Sequence, residues 1–370
     1  MSILTIGIPV YNKANFIVNC INSALKVNSI SGKDLCRIVV VDDCSTDNSL
    51  ELIQSKLYNF DLVSQVISLP YNEGVSFARN CIIENTCTKY LTFLDADDIL
   101  EPIPIIDLIY NYLQPTCDYD LLLTNIQQFS NANSDSKVLS PISTTKALSS
   151  KELVDCIINY LDAPNRNGLL AQCFGKIYNL EFLKDNNLKF NIGQHNYEDV
   201  AFVASVLGRN PKTMQVKTIF YKYITYSLGT TESYGSKRPL SSHFAFLVSI
   251  PLLTRSALIL LSYVDSNKNM SPNFLSTKES NAISILTFIT IVCHAHRVRS
   301  LKSFFSYYHE VCSIFDDGKL HLFIKDYNPF YAPGGSPLLT WLIKKKLYFP
   351  ACILSCYKFK IRYGYSGSTR

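Results

Sequence analysis

The chain has 370 residues, 47% of them apolar and 18% charged, with only 14 glycines and 15 prolines. This excludes disordered, collagen-like and low-complexity classes and fits roughly two domains of about 150 residues, or one larger domain with a long extension. The formal net charge of +5 hides an asymmetry: residues 1–200 carry 14 Lys and Arg against 23 Asp and Glu, and residues 201–370 carry 21 against 7. An acidic front half and a basic back half point to different tasks. The 12 cysteines are scattered without a Cys-x-x-Cys pair, Cys352 and Cys356 being the closest late pair. That pattern is neither a disulfide framework nor a zinc site, and it reads as small core residues in a reducing compartment.

Met1 runs directly into the apolar stretch Ile3–Val10, with no basic region and no small-residue cleavage site, so no signal peptide is expected. The longest apolar stretch, Phe244–Val264, contains Pro251 and Arg255, and Ala282–Cys293 is too short to span a bilayer. The expected location is cytoplasmic, with association at the inner face of the cell membrane allowed for.

Five strand-like runs come first: Leu4–Val10, Arg37–Val41, Val63–Leu69, Tyr90–Leu94 and Asp120–Thr124. Helical periods lie between them. Ile17, Cys20, Ile21, Ala24 and Leu25 share one face, and a second helix opens at Ser45-Thr46-Asp47 and carries Leu50, Ile53 and Leu57. A third runs from Gly74 to Glu84, and a fourth starts at Pro102–Pro104 and buries Ile105, Ile106, Ile109 and Leu113. Strands alternating with helices at this spacing define an α/β fold with a parallel sheet, and ligands of such sheets sit at the carboxyl ends of the strands.

Polar clusters fall at those ends: Tyr11-Asn12 after strand one, Asp42-Asp43-Cys44-Ser45 after strand two, Asn72-Glu73-Gly74 with Arg79-Asn80 in the third unit, and Asp95-Ala96-Asp97-Asp98 after strand four. Asp47 reads as a helix cap. Asp95 and Asp97 read as functional, because crowded acids cost Coulomb energy unless a cation or hydrogen-bonding ligand offsets it. Two carboxylates with one spacer suit a hard cation, Mg²⁺ or Mn²⁺, whose shell a substrate diphosphate completes. Neither Gly-x-Gly-x-x-Gly nor Gly-x4-Gly-Lys-Ser/Thr occurs, which argues against dinucleotide oxidoreductases and P-loop NTPases.

Taken in order, Ile8-Pro9-Val10-Tyr11-Asn12, Val40–Asp47, Asn72-Glu73-Gly74, Ala78-Arg79-Asn80, Phe93–Asp98, Gly175-Lys176-Ile177-Tyr178, Leu188-Lys189-Phe190 and Glu198-Asp199 with Phe202 resemble the family 2 glycosyltransferases and their GT-A fold. The resemblance covers residues 1–230, and is specific for the family but not for the sugar. It implies a Rossmann-like mixed sheet flanked by helices, with a nucleotide-sugar half (1–125) and an acceptor half (126–230). A mainly helical region with a basic aromatic tail follows (231–370).

The resemblance also implies roles. Pro9 and Tyr11 line the nucleotide base, Asp43 accepts a base N–H, and Asp42 orients its loop. Arg79 lies beside the diphosphate or base. Asp95 is the ribose-side acid of the Asp-x-Asp motif, Asp97 the metal ligand, and Asp98 a helix-side cap or supporting group. Asp199 is the catalytic base; read from the residues alone, Glu198-Asp199 instead caps the helix Val200–Leu207, and both hold if Glu198 caps while Asp199 faces the sugar. The implied reaction is inverting, metal-dependent transfer from a nucleotide sugar, a UDP-sugar above all, to a glycan or lipid-linked saccharide during polysaccharide biosynthesis. The other reading is a non-catalytic nucleotide-sugar-binding or assembly protein on the same fold. His195 reads as a loop or acceptor-site residue. Three departures stand out: Cys44 where Gly is common, Phe174 where Trp is common, and Tyr221-Lys222-Tyr223-Ile224 without the usual Arg.

The back third is helical by period, through Leu247, Ile250, Leu253, Leu258 and Leu261, then Ile283, Leu286, Ile289 and Val292. His294 and His296 do not share a helix face and read as structural. The last acid is Asp326, and seven Lys and Arg follow it, interleaved with Trp341, Tyr348, Phe349, Tyr357, Phe359, Tyr363 and Tyr365. Such a segment suits an anionic membrane surface, and no nucleic-acid motif accompanies it. The competing expectation is that it packs back on the acidic front half.

Overall fold

The computed structural model describes residues 2–60, 64–130, 136–139, 141–164, 169–194, 196–225, 244–264, 272–295, 298–316, 319–325, 327 and 336–363. His195, His296, Asp326 and Tyr365 fall outside these.

The front elements are β1 (Leu4–Val10), α1 (Ile17–Ser31), β2 (Cys36–Asp42), α2 (Ser49–Leu57), β3 (Ser64–Ser68), α3 (Val75–Asn85), β4 (Tyr90–Phe93), β5 (Ile99–Leu100) and α4 (Pro102–Tyr112). The second half of the sheet follows: β6 (Leu121–Ser130), β7 (Ser136–Leu139), β8 (Lys146–Leu148), α5 (Ser150–Asp162), β9 (Lys176–Asn179), α6 (Leu180–Asp185), α7 (Glu198–Leu207) and β10 (Thr213–Thr225). Among the described residues these strands form one mixed sheet in the order β3-β2-β1-β4-β9-β6-β10-β5, with β7 on β6 and β8 on β10. β3, β2, β1 and β4 are parallel, β9 is antiparallel to both its neighbours, and β6 runs parallel to β10.

Every residue of β1 is buried, as an unbroken apolar run requires when helices cover both faces of a parallel sheet. Alternation still sorts the side chains. Leu4, Ile6, Ile8, Ile38 and Val40 pack with α1, α2 and α4, and Val39 and Val41 pack on the opposite side with α3, α5 and α7. Gly7 admits α3 close to β1, since a Cβ there would lie 2.3 Å from Ile82 Cγ2. The strand and helix expectations hold with small shifts. β6 extends to Ser130, Ile106 is half-buried rather than buried, and α2 starts at Ser49 rather than at Ser45–Asp47.

The back elements are α8 (Phe246–Leu261), α9 (Pro272–His294), α10 (Leu301–Asp316), α11 (Lys319–Ile324), α12 (Pro337–Lys344) and α13 (Tyr348–Tyr363). The buried stripe of α8 is Phe246, Ile250, Leu253, Ala257 and Leu260, whereas Leu258, expected inside, is exposed. α8 packs on α7 and α5, and α9 on α8 and α5, so the back helices continue the core on one face of the sheet. α12 and α13 pack on the other back helices rather than on the acidic front half. Among the described residues no helix is long and apolar enough to cross a membrane.

Candidate active site

The site forms where the loops after β1, β2 and β4 meet the amino ends of α3 and α7. Pro9 is buried opposite Val41, and Tyr11, just past the strand, leaves its ring 45% exposed. Asn12 takes a left-handed backbone (φ 52°). Its Oδ1 accepts from the Thr46 N–H (2.7 Å), Thr46 Oγ1 (3.3 Å) and the Asp47 N–H (3.3 Å), which ties the first strand-end loop to the second. Those contacts hold Ser45–Asp47 out of helical conformation. Asp47 is not the cap expected of it: the cap position of α2 is Asn48, without a side-chain cap bond, and Asp47, one residue earlier, accepts the Ser49 N–H at 3.0 Å and, through Oδ2, the Ala14 N–H at 3.1 Å. Asp42 Oδ2 accepts the Ser45 N–H (3.1 Å), the loop-orienting role expected of it. Asp43 is buried, and its two oxygens accept the Glu73 and Gly74 N–H groups at 2.8 and 2.9 Å, at the start of α3. Burial raises its pKa against those two hydrogen bonds, which lower it. Cys44 occupies a left-handed position (φ 58°), which explains why glycine is common there.

Arg79 is the centre of the charge cluster. Its side chain is 4% exposed, and its guanidinium lies 5.3 Å from the Phe190 ring centroid. Nη2 contacts Asp95 Oδ1 at 3.0 Å, and Nη1 contacts Asp199 Oδ1 at 2.5 Å and Glu198 Oε1 at 3.4 Å. Burial opposes the charge on Arg79, but Asp199, Cys173, Asp95 and Glu198 outweigh it and raise its pKa. The structure thus joins Asp95 of the fourth strand end to Asp199, far along the chain, through a residue expected beside the diphosphate. Burial, with the Asp199 charge next, pushes Glu198 up to about 7. Burial likewise raises Asp95, opposed by Arg79.

Neither Glu198 nor Asp199 caps α7. Glu198 is the first helical residue, and the cap position is Tyr197, in a left-handed conformation (φ 57°) with no side-chain cap bond. Asp199 Oδ2 instead accepts the Cys173 N–H at 3.1 Å. The loop carrying Cys173 is held by Lys176, fully buried, whose Nζ donates to the Gln172 carbonyl at 2.5 Å. Burial lowers the Lys176 pKa to about 8. On the other side, Ser249 of α8 donates to the Tyr197 carbonyl (2.8 Å) and accepts from Gln194 Nε2 (2.8 Å), so a back helix pins the turn that aims Asp199.

Asp97 pairs with Lys13 Nζ at 2.5 Å, with both side chains about one-third exposed. Asp98 is not a helix cap. It is buried under β10, where it accepts the Tyr221 hydroxyl (2.5 Å) and the Ile224 N–H (2.8 Å), and burial with the Asp95 charge pushes it up to about 8. The Tyr221 hydroxyl in turn accepts the Asp95 N–H at 3.2 Å. Phe174 stacks on Tyr221 (4.4 Å, 12°) and on Tyr223 (5.7 Å, 26°), so two of the sequence departures fall on one aromatic stack. Sequence reasoning missed Lys13, Cys173, Lys176 and Ser249 as parts of the site. Lys13 stands two residues beyond Tyr11, a signal that was available. Among the described residues, no three His, Cys, Asp or Glu side chains group as a metal cage.

A parallel half sheet, an acidic cluster at its strand ends and a distant acid brought beside it are the arrangement of the GT-A fold. Residues 5–145 match the model of the family described as Glycosyl transferase family 2. The chain is 28% identical over 206 residues to the teichoic acid poly(glycerol phosphate) polymerase of Staphylococcus epidermidis, a match covering 55% of this chain and 26% of that protein. It is 38% identical over 100 residues to the chondroitin synthase of Pasteurella multocida, covering 27% of this chain and 10% of that protein. It therefore spans about a quarter or less of the length of these two relatives. The crystal structure of S. aureus TarS 1-349 in complex with UDP-GlcNAc superposes with a TM-score of 0.59 at 16% identity, over 98% of this chain and 92% of that one. That likeness extends the shared fold through the back helices.

Proposed function

We propose that this chain is an inverting, metal-dependent glycosyltransferase. It moves a sugar from a nucleotide-sugar donor to a glycan or lipid-linked saccharide in polysaccharide biosynthesis. The observation that carries the reading is the placement of Asp199, 14% exposed and held by Arg79 and the Cys173 N–H, in one cluster with Asp95 of the Asp-x-Asp motif. Structural neighbours crystallised with UDP and UDP-GlcNAc support a UDP-sugar as donor.

In this reading the exposed Tyr11 ring stacks on the base, with Pro9 and Asp43 shaping the edge of that pocket. Asp95 takes the ribose side. In inverting transfer the acceptor hydroxyl attacks the anomeric carbon while its proton passes to a carboxylate within about 3 Å, which is the role of Asp199. Arg79 fixes the base relative to the donor-side acid. Asp97 is a hard oxygen donor accessible enough to hold Mn²⁺ or Mg²⁺, ions that bind one or two carboxylates and complete their shells with substrate phosphates. When bound, such an ion offsets the charge developing on the departing nucleoside diphosphate. Lys13, on Asp97 in this structure, is then free to turn toward the phosphates.

The test is Asp199→Asn, which keeps the shape and the Arg79 contact on one oxygen but does not take a proton. Donor binding by titration should stay near wild type while transfer falls by roughly 10²–10⁴-fold. Near-normal turnover removes Asp199 from the base role. Absence of metal-dependent donor hydrolysis or transfer in the wild type, across a panel of nucleotide sugars, favours the non-catalytic binding protein instead.

A further inference from the structure

The back helices carry a surface that the donor chemistry does not use. On α13, Phe349, Ile353 and Tyr357 are 44%, 51% and 62% exposed at spacings of four residues, one continuous stripe. The opposite face of the helix, Ala351, Cys352 and Ser355, is buried, so packing fixes which way the stripe points. Phe305 of α10 lies beside it, its ring centroid 6.5 Å from that of Phe349, and Leu301, one turn earlier, is 79% exposed. α12 repeats the arrangement, with Leu338 and Trp341 outside and Leu339, Leu342 and Ile343 inside. Lys344, Lys345 and Lys346 are exposed where α12 turns into α13.

No acidic residue occurs in residues 327–363. The acids of α10, Glu310 and Asp316, lie in its second half, away from Leu301 and Phe305 in sequence. A large exposed apolar surface beside a cluster of lysines marks an interaction face. Its chemistry narrows the partner. The lysines call for an anionic one, and the exposed Leu301, Leu338 and Ile353 call for one that also accepts aliphatic groups. A nucleic acid meets the first demand but not the second. A bilayer meets both, with phosphate headgroups above acyl chains.

We propose that α10, α12 and α13 present a docking face for an anionic lipid bilayer, with the helices lying along the surface and the lysines at headgroup level. The face would hold the strand-end cleft beside a membrane, independently of the sugar chemistry assigned above.

The experiment is flotation of the full chain with vesicles of phosphatidylglycerol and phosphatidylcholine, against vesicles of phosphatidylcholine alone. Wild type should float with the anionic vesicles and much less with the neutral ones. Each Lys→Gln change at 344, 345 or 346 should weaken partition about fivefold. About 1 M salt, where the Debye length falls to roughly 3 Å, should remove most of the charge-dependent part. Ile353→Ser with Tyr357→Ser should weaken partition by about tenfold or more. The replaced side chains are exposed, so thermal melts and donor hydrolysis should stay unchanged. Leu338→Ser with Trp341→Ser is the second apolar variant should the first fail to fold. The proposal is overturned if wild type ignores anionic vesicles, or if the lysine variants partition like wild type. It is equally overturned if the serine variants change the oligomeric state by light scattering without changing flotation, which assigns the face to a second copy of the chain.

Discussion

Replacing Arg79 by Met keeps most of the side-chain volume and removes the one guanidinium shared by Asp95, Glu198 and Asp199. Deleting one partner of a buried ion pair typically costs about 3–5 kcal/mol. Here the carboxylates are 14–26% exposed and Asp199 keeps the Cys173 N–H, so the lower end, about 3 kcal/mol at neutral pH, is expected. The sign of the pH dependence follows from the charges. Arg79 lowers the folded-state pKa of both Asp95 and Glu198, which burial otherwise raises. Without it both rise further, so the variant binds protons in the folded state that the unfolded chain has released. The destabilisation is therefore small below the unfolded carboxylate range of about 4 and grows as pH rises through the folded values. Urea unfolding of both proteins at about pH 4.5 and about pH 8 measures it. A cost that is equal at the two pH values, or under about 1 kcal/mol at the higher one, refutes a shared-cation cluster. Arg79→Lys should recover only part of the loss, because a single ammonium does not span Asp95 and Asp199 as the fork does.

Asp97→Ala should abolish any gain in UDP affinity on adding Mn²⁺ while leaving metal-free affinity within a few-fold; calorimetric titration with and without the metal decides it, and a retained gain excludes Asp97 as the ligand. Cys44→Gly should stabilise by about 0.5–1 kcal/mol, since a non-glycine left-handed residue costs about 1–2 kcal/mol and the entropy of glycine returns about half of that. A lower urea midpoint for Cys44→Gly would mean that the thiol contributes more than the backbone strain takes away.

The front sheet was legible because apolar runs are local signals: β1 falls on Leu4–Val10, and Leu4, Ile6, Ile8 and Val10, every second residue, enter one core. The acids stood out because carboxylates crowded after an apolar strand cost Coulomb energy that something must offset. What sequence did not carry was who holds whom. Asp98 looked like part of the same motif as Asp97, yet it turns inward to Tyr221, a contact 123 positions away that leaves no local trace. Glu198 looked like a cap because acids at helix starts often are, but the cap position fell to Tyr197. Leu258 was placed inside from a run of leucines, but the face that α8 buries runs through Ile250, Leu253, Ala257 and Leu260. The basic tail was read as a surface segment or a strap on the front half. In the structure it is neither alone, since each of its helices gives one face to the core and leaves the other outside.

The hydrogen bonds of Ser249 change what should be regarded as the unit of this protein. Every motif residue lies before position 230, and the family match ends at 145. Yet the turn that presents Asp199 hangs from a hydroxyl on α8, and the apolar faces of α5 and α7 are completed by the same helix and by α9. A boundary drawn by motif would cut through a continuous core and release the turn on which the acid is mounted. The helical half is then a mounting plate for the chemistry as much as an appendage to it. Substitutions along the inner face of α8, remote from any sugar, are where changes in turnover without changes in donor affinity should collect.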